Sequence, residues 1–143
     1  MNPEIFREYD IRGIAGKDLT ETDAIDIGKA VGSFLIQRGC AKLTVGRDCR
    51  LTSPDYAQKL IEGLISTGCH VTDIGVCPTP ALYFSIHYLK QDGGVMVTAS
   101  HNPPEYNGFK ICQGNDSVHG KDIQTIFQII QDRAFNQGQG SVA

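Results

Sequence analysis

The feature that most restricts the fold of this chain is the alternation of short β-forming runs with longer stretches that have one apolar face. Lys42–Gly46 and Gly93–Val97 are short, mainly apolar and rich in β-branched residues or glycine, as buried strands are. Between such runs, apolar residues recur at helical spacing and predict amphipathic helices. Strands that alternate with helices predict an α/β protein, here a three-layer α/β/α sandwich with a mixed, mainly parallel sheet.

Turn and capping residues divide the chain into these elements. Thr20 or Thr22 can cap one helix, Ser53-Pro54-Asp55 can cap and open the next, and Thr79-Pro80 can begin a third. Gly13 and Gly16 are expected to end the first extended segment in a loop. The pattern predicts strands at residues 5–12, 42–46, 70–76, 93–97 and 108–112, and a last helix at 122–133.

Length and charge narrow the classes of protein that the chain can represent. With 143 residues we expect one domain, residues 1–135, followed by a polar, glycine-rich linker at 136–143. The net charge of −3 and the lack of a basic run argue against nucleic acid and anionic membranes as partners. No apolar run approaches membrane-spanning length, so we expect a cytoplasmic protein. Five cysteines without a C-x-x-C pair are expected to be reduced thiols.

Chemically active side chains are concentrated in the segment that follows the apolar run at 93–97. Ser100 offers a hydroxyl nucleophile, and His101 and Lys110 can supply positive charge or move protons beside it. Pro103-Pro104 excludes helix, and Asn107-Gly108 predicts a tight turn. The segment is therefore expected to be a stiff loop at a strand end. Taken on spacing alone, a surface turn with an incidental serine is the favoured interpretation, because Ser-His pairs adjacent in sequence are rarely catalytic.

Three motifs carry a family resemblance. The string TASHNPPEYNGFK, residues 98–110, resembles the phosphoserine loop of the α-D-phosphohexomutase superfamily. FREYDIRG, residues 6–13, resembles the opening motif of its phosphomannomutase/phosphoglucomutase branch, and GRDCR at 46–50 is a third match. The motifs follow the order of the family and cover most of the chain, so the resemblance implies the first domain of such an enzyme.

The resemblance implies a role for each candidate site residue. Ser100 would carry a phosphoryl group that passes to a phosphohexose and returns, so that hexose 1-phosphate and hexose 6-phosphate interconvert through a hexose 1,6-bisphosphate, which is also the activator. Mg²⁺ would contact the phosphate on Ser100. His101 and Lys110 would assist proton movement and charge, without an order between them. Tyr9, Arg12 and Lys110 would face the cleft and bind phosphate, since arginine pairs with phosphate through two parallel hydrogen bonds.

The chain also departs from the family pattern. The aspartate-rich metal loop (Asp-Gly-Asp-Gly-Asp), the sugar-selecting loop and the C-terminal phosphate-binding loop are missing from this sequence. The remaining domains of the enzyme are therefore implied partners, and the chain alone is expected to be inactive. Two alternatives stay open: a phosphoglucosamine mutase domain, whose opening motif usually reads Gly-Thr-Asp-Gly, and a non-catalytic phosphosugar-binding module. Arg47 and Arg50 could border a phosphate site, but a solvated or structural role is favoured.

Overall fold

A computed structural model describes residues 1–143, which form a central sheet covered by helices on both faces. The strands are β1 (Ile11–Ile14), β2 (Lys42–Arg47), β3 (His70–Val76), β4 (Gly93–Val97), β5 (Tyr106–Gln113), β6 (Asp116–Ser117) and β7 (Ser141–Val142). The helices are α1 (Glu21–Ile36), α2 (Ser53–Ser66), α3 (Thr79–Tyr88) and α4 (Lys121–Asp132). None of the four is both long and apolar enough to cross a membrane.

The sheet is mixed, as predicted, and its order is β1-β5-β4-β2-β3-β7, with β6 beside β5. Strands β4, β2, β3 and β7 pair in parallel, whereas β5 is antiparallel to β1, β4 and β6. The predicted α/β class and mixed sheet are confirmed. The three parallel and three antiparallel pairings make the sheet evenly mixed rather than mainly parallel, because β5 brings three antiparallel neighbours.

The alternation of side chains along β4 shows how the two faces of the sheet are covered. Val95 and Val97 enter the large core formed with α1, α2 and α4, whereas Met96 packs on the other face with Leu82 and Ile86 of α3. This arrangement is the predicted three-layer sandwich. Helix α3 lies over β2 and β4 and packs on Cys112 near the end of β5, so the α3 side of β1 and of the beginning of β5 is left without a helix.

Helices α1 and α2 cross in close contact at two glycines. A Cβ on Gly28 would collide with the carbonyl of Leu60, and one on Gly63 with that of Ile25. Thr20 caps α1 through a capping box with Asp23. Helix α2 is preceded by Thr52, not capped by the Ser53 side chain as predicted, because the Ser53 hydroxyl donates to a carboxylate in the loop before the helix.

The first strand differs from its predicted position. Residues 5–12 were expected to be extended, but Pro3–Ile5 form a 3-10 turn and β1 begins only at Ile11. Gly13 lies inside the strand, and a Cβ there would lie 2.9 Å from Cγ2 of Ile5. The glycine is therefore needed for packing rather than for a turn, and Arg12 lies within the strand rather than at its end.

The predicted turn at Asn107-Gly108 is wrong, because both residues lie inside β5. The buried Asn107 side chain donates to Thr52 Oγ1 and Ser53 Oγ at 2.8 and 3.0 Å. A Cβ on Gly108 would collide with the carbonyl of Ile11 on β1. The pair that resembles a turn is thus a buried polar anchor followed by a point of close strand contact.

The C-terminal segment, for which the sequence predicts a linker at residues 136–143, adds an edge strand to the sheet. Ser141–Val142 form β7 beside His70 and Val71 of β3. Backbone hydrogen bonds join Gly138 and Gly140 to the end of α2. All five cysteines are free, and Cys69 and Cys112 are buried whereas Cys49 is exposed.

Candidate functional site

Ser100 lies at the tip of the loop that joins β4 to β5, and it is exposed. Its φ of +53° is in the left-handed region, which costs a non-glycine residue about 1–2 kcal/mol. The loop holds that conformation through its own hydrogen bonds: the Ser100 N–H donates to Thr98 Oγ1 at 3.0 Å, and the Asn102 N–H to the carbonyl of Ala99 at 3.0 Å. The hydroxyl is therefore presented to solvent on a fixed backbone.

Arg12 reaches the loop from β1. Its Nη2 lies 3.5 Å from Ser100 Oγ, Nη1 donates to Asn102 Oδ1, and Nη2 forms an ion pair with Asp10. The Arg12 side chain is 17% exposed and that of Asp10 is 9% exposed, so the pair fixes the orientation of the guanidinium. Because Asp10 offsets part of the positive charge, an anion on Ser100 would share Arg12 with it.

Lys110 lies on the same face of the sheet as Arg12. On β5 it follows Gly108, the partner of Arg12, by two residues, so the two side chains project from one face. Lys110 pairs with Met96, whose side chain packs under α3, and the face is therefore the one that α3 only partly covers. The Lys110 ammonium is in no ion pair or side-chain hydrogen bond, which leaves its charge unshared.

His101 and Tyr9 are less closely tied to this group. His101 is exposed and its side chain forms no hydrogen bond within the chain, although it follows Ser100 directly. Tyr9 is 64% exposed, and its ring lies 6.2 Å from that of His119. The structure thus brings Arg12 to Ser100, puts Lys110 on the same face, and keeps Tyr9 beside the β6–α4 loop.

Arg50, in the loop between β2 and α2, is bound to the backbone of the serine loop. Its Nη2 donates to the carbonyls of Ser100 and Asn102, both at 2.9 Å, and Nη1 to those of Pro103 and Tyr106 at 2.7 and 3.3 Å. The side chain is 11% exposed. The structural role favoured for Arg50 from the sequence is therefore what its contacts show.

Asp48 supports Arg50 from behind. Oδ2 accepts from Arg50 Nε at 3.0 Å and from Thr98 Oγ1 at 2.7 Å, while Oδ1 accepts from Ser53 Oγ at 2.5 Å. Burial, the largest single influence, acts to raise the pKa of Asp48, but the hydrogen bonds and the Arg50 charge together lower it below its ordinary value. The carboxylate thus stays ionised where it joins three elements.

The described residues do not by themselves make a metal site. No group of three or more His, Cys, Asp or Glu side chains converges anywhere in residues 1–143. Asp10 and Asp48 are already engaged with Arg12 and Arg50, the two arginines that contact Ser100. An ion at this site would therefore need most of its ligands from elsewhere, apart from any group carried by Ser100.

Fold and site together define an α/β/α domain that presents one serine hydroxyl on a clamped loop, beside an arginine and on a face left open by the helices. This domain belongs to the phosphoglucomutase/phosphomannomutase family: residues 3–137 match the model of its alpha/beta/alpha domain I.

Relatives agree with that assignment. The chain is 46% identical over 138 residues to a phosphomannomutase/phosphoglucomutase of Pseudomonas aeruginosa, covering 96% of this chain and 30% of that protein. It is 42% identical to a phosphoglucomutase of Neisseria gonorrhoeae over 97% of this chain and 31% of that protein. The crystal structure of a phosphoglucomutase/phosphomannomutase family protein from Burkholderia thailandensis superposes with a TM-score of 0.92 at 39% identity, over 97% of this chain and 32% of that one. The chain thus spans about a third of the length of its relatives.

Sequence reasoning missed several residues of the site. Asp10 and Asn102, which hold Arg12, stood inside two quoted motifs without a role. Asp48 gave a usable signal, because an acid followed two positions later by an arginine at a strand end suits a local ion pair. The contacts of Arg50 with four carbonyls had no signal, since backbone acceptors fifty or more positions away are not encoded in residue type.

Proposed function

We propose that this chain is the first domain of a phosphomannomutase/phosphoglucomutase and that Ser100 is its phosphoryl carrier. The observation that supports it best is the exposed Ser100 hydroxyl with Arg12 Nη2 3.5 Å away. A phosphoserine carries about −1.5 to −2 charges and is favoured by such a neighbour. The family membership and the names of the relatives support the reaction class.

The proposed reaction has two phosphoryl transfers. In the first, the P–Oγ bond of phosphorylated Ser100 breaks and a P–O bond forms to a free hydroxyl of a hexose phosphate, whose proton goes to a base while Oγ regains a proton. In the second, the resulting hexose 1,6-bisphosphate returns its other phosphoryl group to Ser100. The sugar leaves with its phosphate moved between positions 1 and 6, and the carrier is restored.

The chain's own residues would hold the phosphoryl group and manage charge. Arg12 would donate to the phosphoryl oxygens, and Lys110, on the same open face, would add a second cation. His101 or Lys110 would move the proton. Tyr9, whose ring is exposed, would contact the substrate from the rim of the cleft.

The remaining parts of the proposed enzyme lie outside these residues. Mg²⁺ would bind the phosphate on Ser100 and offset its charge, with its other ligands supplied by further domains, because residues 1–143 hold no ligand cluster. Those domains would also determine the sugar specificity and close the cleft over the substrate. We place this activity in the cytoplasm.

The test is the phosphorylation of Ser100 in protein expressed from the complete gene that encodes this chain. The protein is incubated with Mg²⁺ and glucose 1,6-bisphosphate, and intact mass and peptide mapping locate the added group. We expect one phosphoryl group on the peptide that contains Ser100, and loss of both phosphorylation and mutase activity in Ser100→Ala.

The matched control is Ser117→Ala, which removes an exposed serine hydroxyl on β6, away from the loop. It should keep phosphorylation and activity. Full mutase activity in Ser100→Ala, or a phosphoryl group on another residue of the wild type, would overturn the proposal.

A further inference from the structure

The serine loop has an unusual connection to the rest of the fold, because one side chain accounts for four of its backbone carbonyls. Arg50 donates to the carbonyls of Ser100, Asn102, Pro103 and Tyr106, which span the loop from its tip to the start of β5. Within the loop itself, backbone hydrogen bonds close only short turns. The loop is therefore held in shape by Arg50 as well as by its own short turns.

We propose that Arg50, oriented by Asp48, is a positioning residue for phosphoryl transfer at Ser100, an inference that rests on the proposed function. It does not touch the hydroxyl. It acts through the backbone, by holding Ser100 in its left-handed conformation at φ +53° and so holding Oγ next to Arg12. A planar guanidinium with a fixed fork of donors suits this task, and a lysine ammonium does not.

The geometry also assigns a direction to one free donor. In a trans peptide the carbonyl of one residue and the N–H of the next point in opposite directions, and no peptide bond here is cis. Because the Ser100 carbonyl points at Arg50 Nη2, the His101 N–H points away from Arg50. That N–H has no acceptor within the chain and is available to donate to a phosphoryl group on Ser100.

Asp48 fixes the orientation of the Arg50 side chain and connects it to the rest of the fold. Its carboxylate accepts from Arg50 Nε and from Thr98 Oγ1, and the same Thr98 oxygen accepts the Ser100 N–H. Both sides of the Ser100 backbone are therefore tied, directly or through Thr98, to the Asp48–Arg50 pair. A loss of geometry at this pair is transmitted to Oγ, and a displacement of about 1 Å at a reacting atom costs about 10²-fold in rate.

The experiment compares Arg50→Lys and Arg50→Met with the wild type, in protein expressed from the complete gene. Arg38→Lys is the matched control, because Arg38 also donates to a backbone carbonyl, that of Phe34. Arg38 follows α1 and forms an ion pair with Asp122 of α4, away from the serine loop. The rate of Ser100 phosphorylation by glucose 1,6-bisphosphate is measured as kcat and KM, and amide hydrogen exchange is followed at Ser100, Asn102 and, as core references, Val95 and Ile111.

We expect both Arg50 variants to lower kcat for phosphorylation by about 10²-fold, with KM nearly unchanged because Arg50 does not reach the substrate. Exchange at Ser100 and Asn102 should become about tenfold faster or more, while the core amides keep their protection. In the wild type, the His101 amide proton should shift downfield on phosphorylation, and this shift should shrink in Arg50→Lys. Arg38→Lys should change none of these.

Wild-type kcat and loop protection in Arg50→Lys would overturn the positioning role, and so would a uniform loss of protection in loop and core, which indicates a general loss of stability. If Arg50→Met does not fold, the positioning role is judged from Arg50→Lys alone. If the wild type takes up no phosphoryl group at all, the proposed function fails. The hydrogen-exchange data then still test whether Arg50 holds the serine loop in place. Unchanged loop exchange in Arg50→Lys overturns that role, and faster loop exchange supports it.

Discussion

Ser100 combines two properties that oppose each other in an ordinary loop residue. It is exposed, and so makes few packing contacts, yet its backbone is in the left-handed region with φ +53°. Residues held in such conformations persist when their surroundings over-determine them, and they cluster at functional sites. Here the surroundings are the Thr98 hydroxyl and the Arg50 guanidinium. The strain at Ser100 is therefore measurable separately from its chemistry.

Ser100→Gly should be more stable than Ser100→Ala by about 1 kcal/mol, because only glycine adopts a positive φ without a Cβ penalty. Both variants remove the hydroxyl, so its own contribution cancels. Urea unfolding gives the two free energies. The same pair of substitutions at Ser117, which is outside the left-handed region, should favour alanine. Equal stability of the two Ser100 variants would contradict the prediction.

The buried thiol of Cys112 on β5 should make the fold sensitive to alkaline pH. Burial raises its pKa from 9.0 to about 11. Below pH 9 both states keep the proton; between pH 9 and about 11 the unfolded chain loses it first. Stability therefore falls as the pH rises, by up to about 3 kcal/mol from this group. Urea unfolding between pH 8 and about 11 should show a shallower decline in Cys112→Ala.

The control is Cys49→Ala, which removes an exposed thiol. Cys112→Ala also leaves a small cavity beside Met96 and Leu82, but that cost is the same at every pH. The diagnostic quantity is therefore the slope with pH rather than the stability at one pH. A Cys112→Ala slope equal to that of the wild type would show that another group controls alkaline unfolding.

At the scale of elements, the C-terminal segment shows how far local composition can mislead. Its glycines indicate a flexible linker, yet Gly138 and Gly140 pack against the backbone of Gly68 and Cys69. A side chain at Gly140 would collide with the carbonyl of Cys69. The glycines are thus there to let two backbones approach, and β7 depends on them.

Gly140→Ala should release β7 from the edge of β3 and lower the free energy of unfolding by about 1–3 kcal/mol. The Asp73 N–H donates to the carbonyl of Ala143 at 3.0 Å, so its hydrogen exchange should accelerate when the strand detaches. Gln139→Ala, at an exposed neighbouring position, is the control and should leave both readings unchanged. Retained protection at Asp73 in Gly140→Ala would contradict this account.

The difference between local signals and tertiary contacts explains which elements the sequence could predict. The helices and β2 to β4 followed from hydrophobic periodicity, and the start of α1 from its capping box, which are local signals that the structure obeys. Asn107-Gly108 failed because tertiary contacts, the hydrogen bonds of Asn107 to α2 and the close approach of β1 to Gly108, override its turn preference. Ser100 is a candidate because of its motif, whereas its left-handed backbone and the contacts of Arg50 depend on distant residues and could not be predicted from residue types.

At the scale of the whole molecule, the two faces of the sheet are covered unequally. Helices α1, α2 and α4 enclose one large core, whereas α3 shields a small cluster on the other side. The side chains of Arg12 and Lys110 occupy the uncovered part of that second face. This part of the face is thus a polar surface, which would form one wall of the proposed cleft.

The 143-residue chain alone should therefore not interconvert glucose 1-phosphate and glucose 6-phosphate, because water exclusion and the second wall are missing. A coupled assay with Mg²⁺ and glucose 1,6-bisphosphate measures this directly. Protein from the complete gene, assayed in parallel, should be active. Robust turnover by residues 1–143 would show that a single wall is sufficient.

The pairing of β7 with β3 has a consequence for how the protein behaves in a crowded solution. Strand β3 would otherwise offer a seven-residue border of unpaired amides to any passing polypeptide, and such borders template fibrillar association. Residues Ser141–Ala143 cover this edge of β3 from His70 to Asp73 and occupy its hydrogen-bonding groups there. Resistance to association at this edge thus depends on residues 141–143, whose composition suggested no structure.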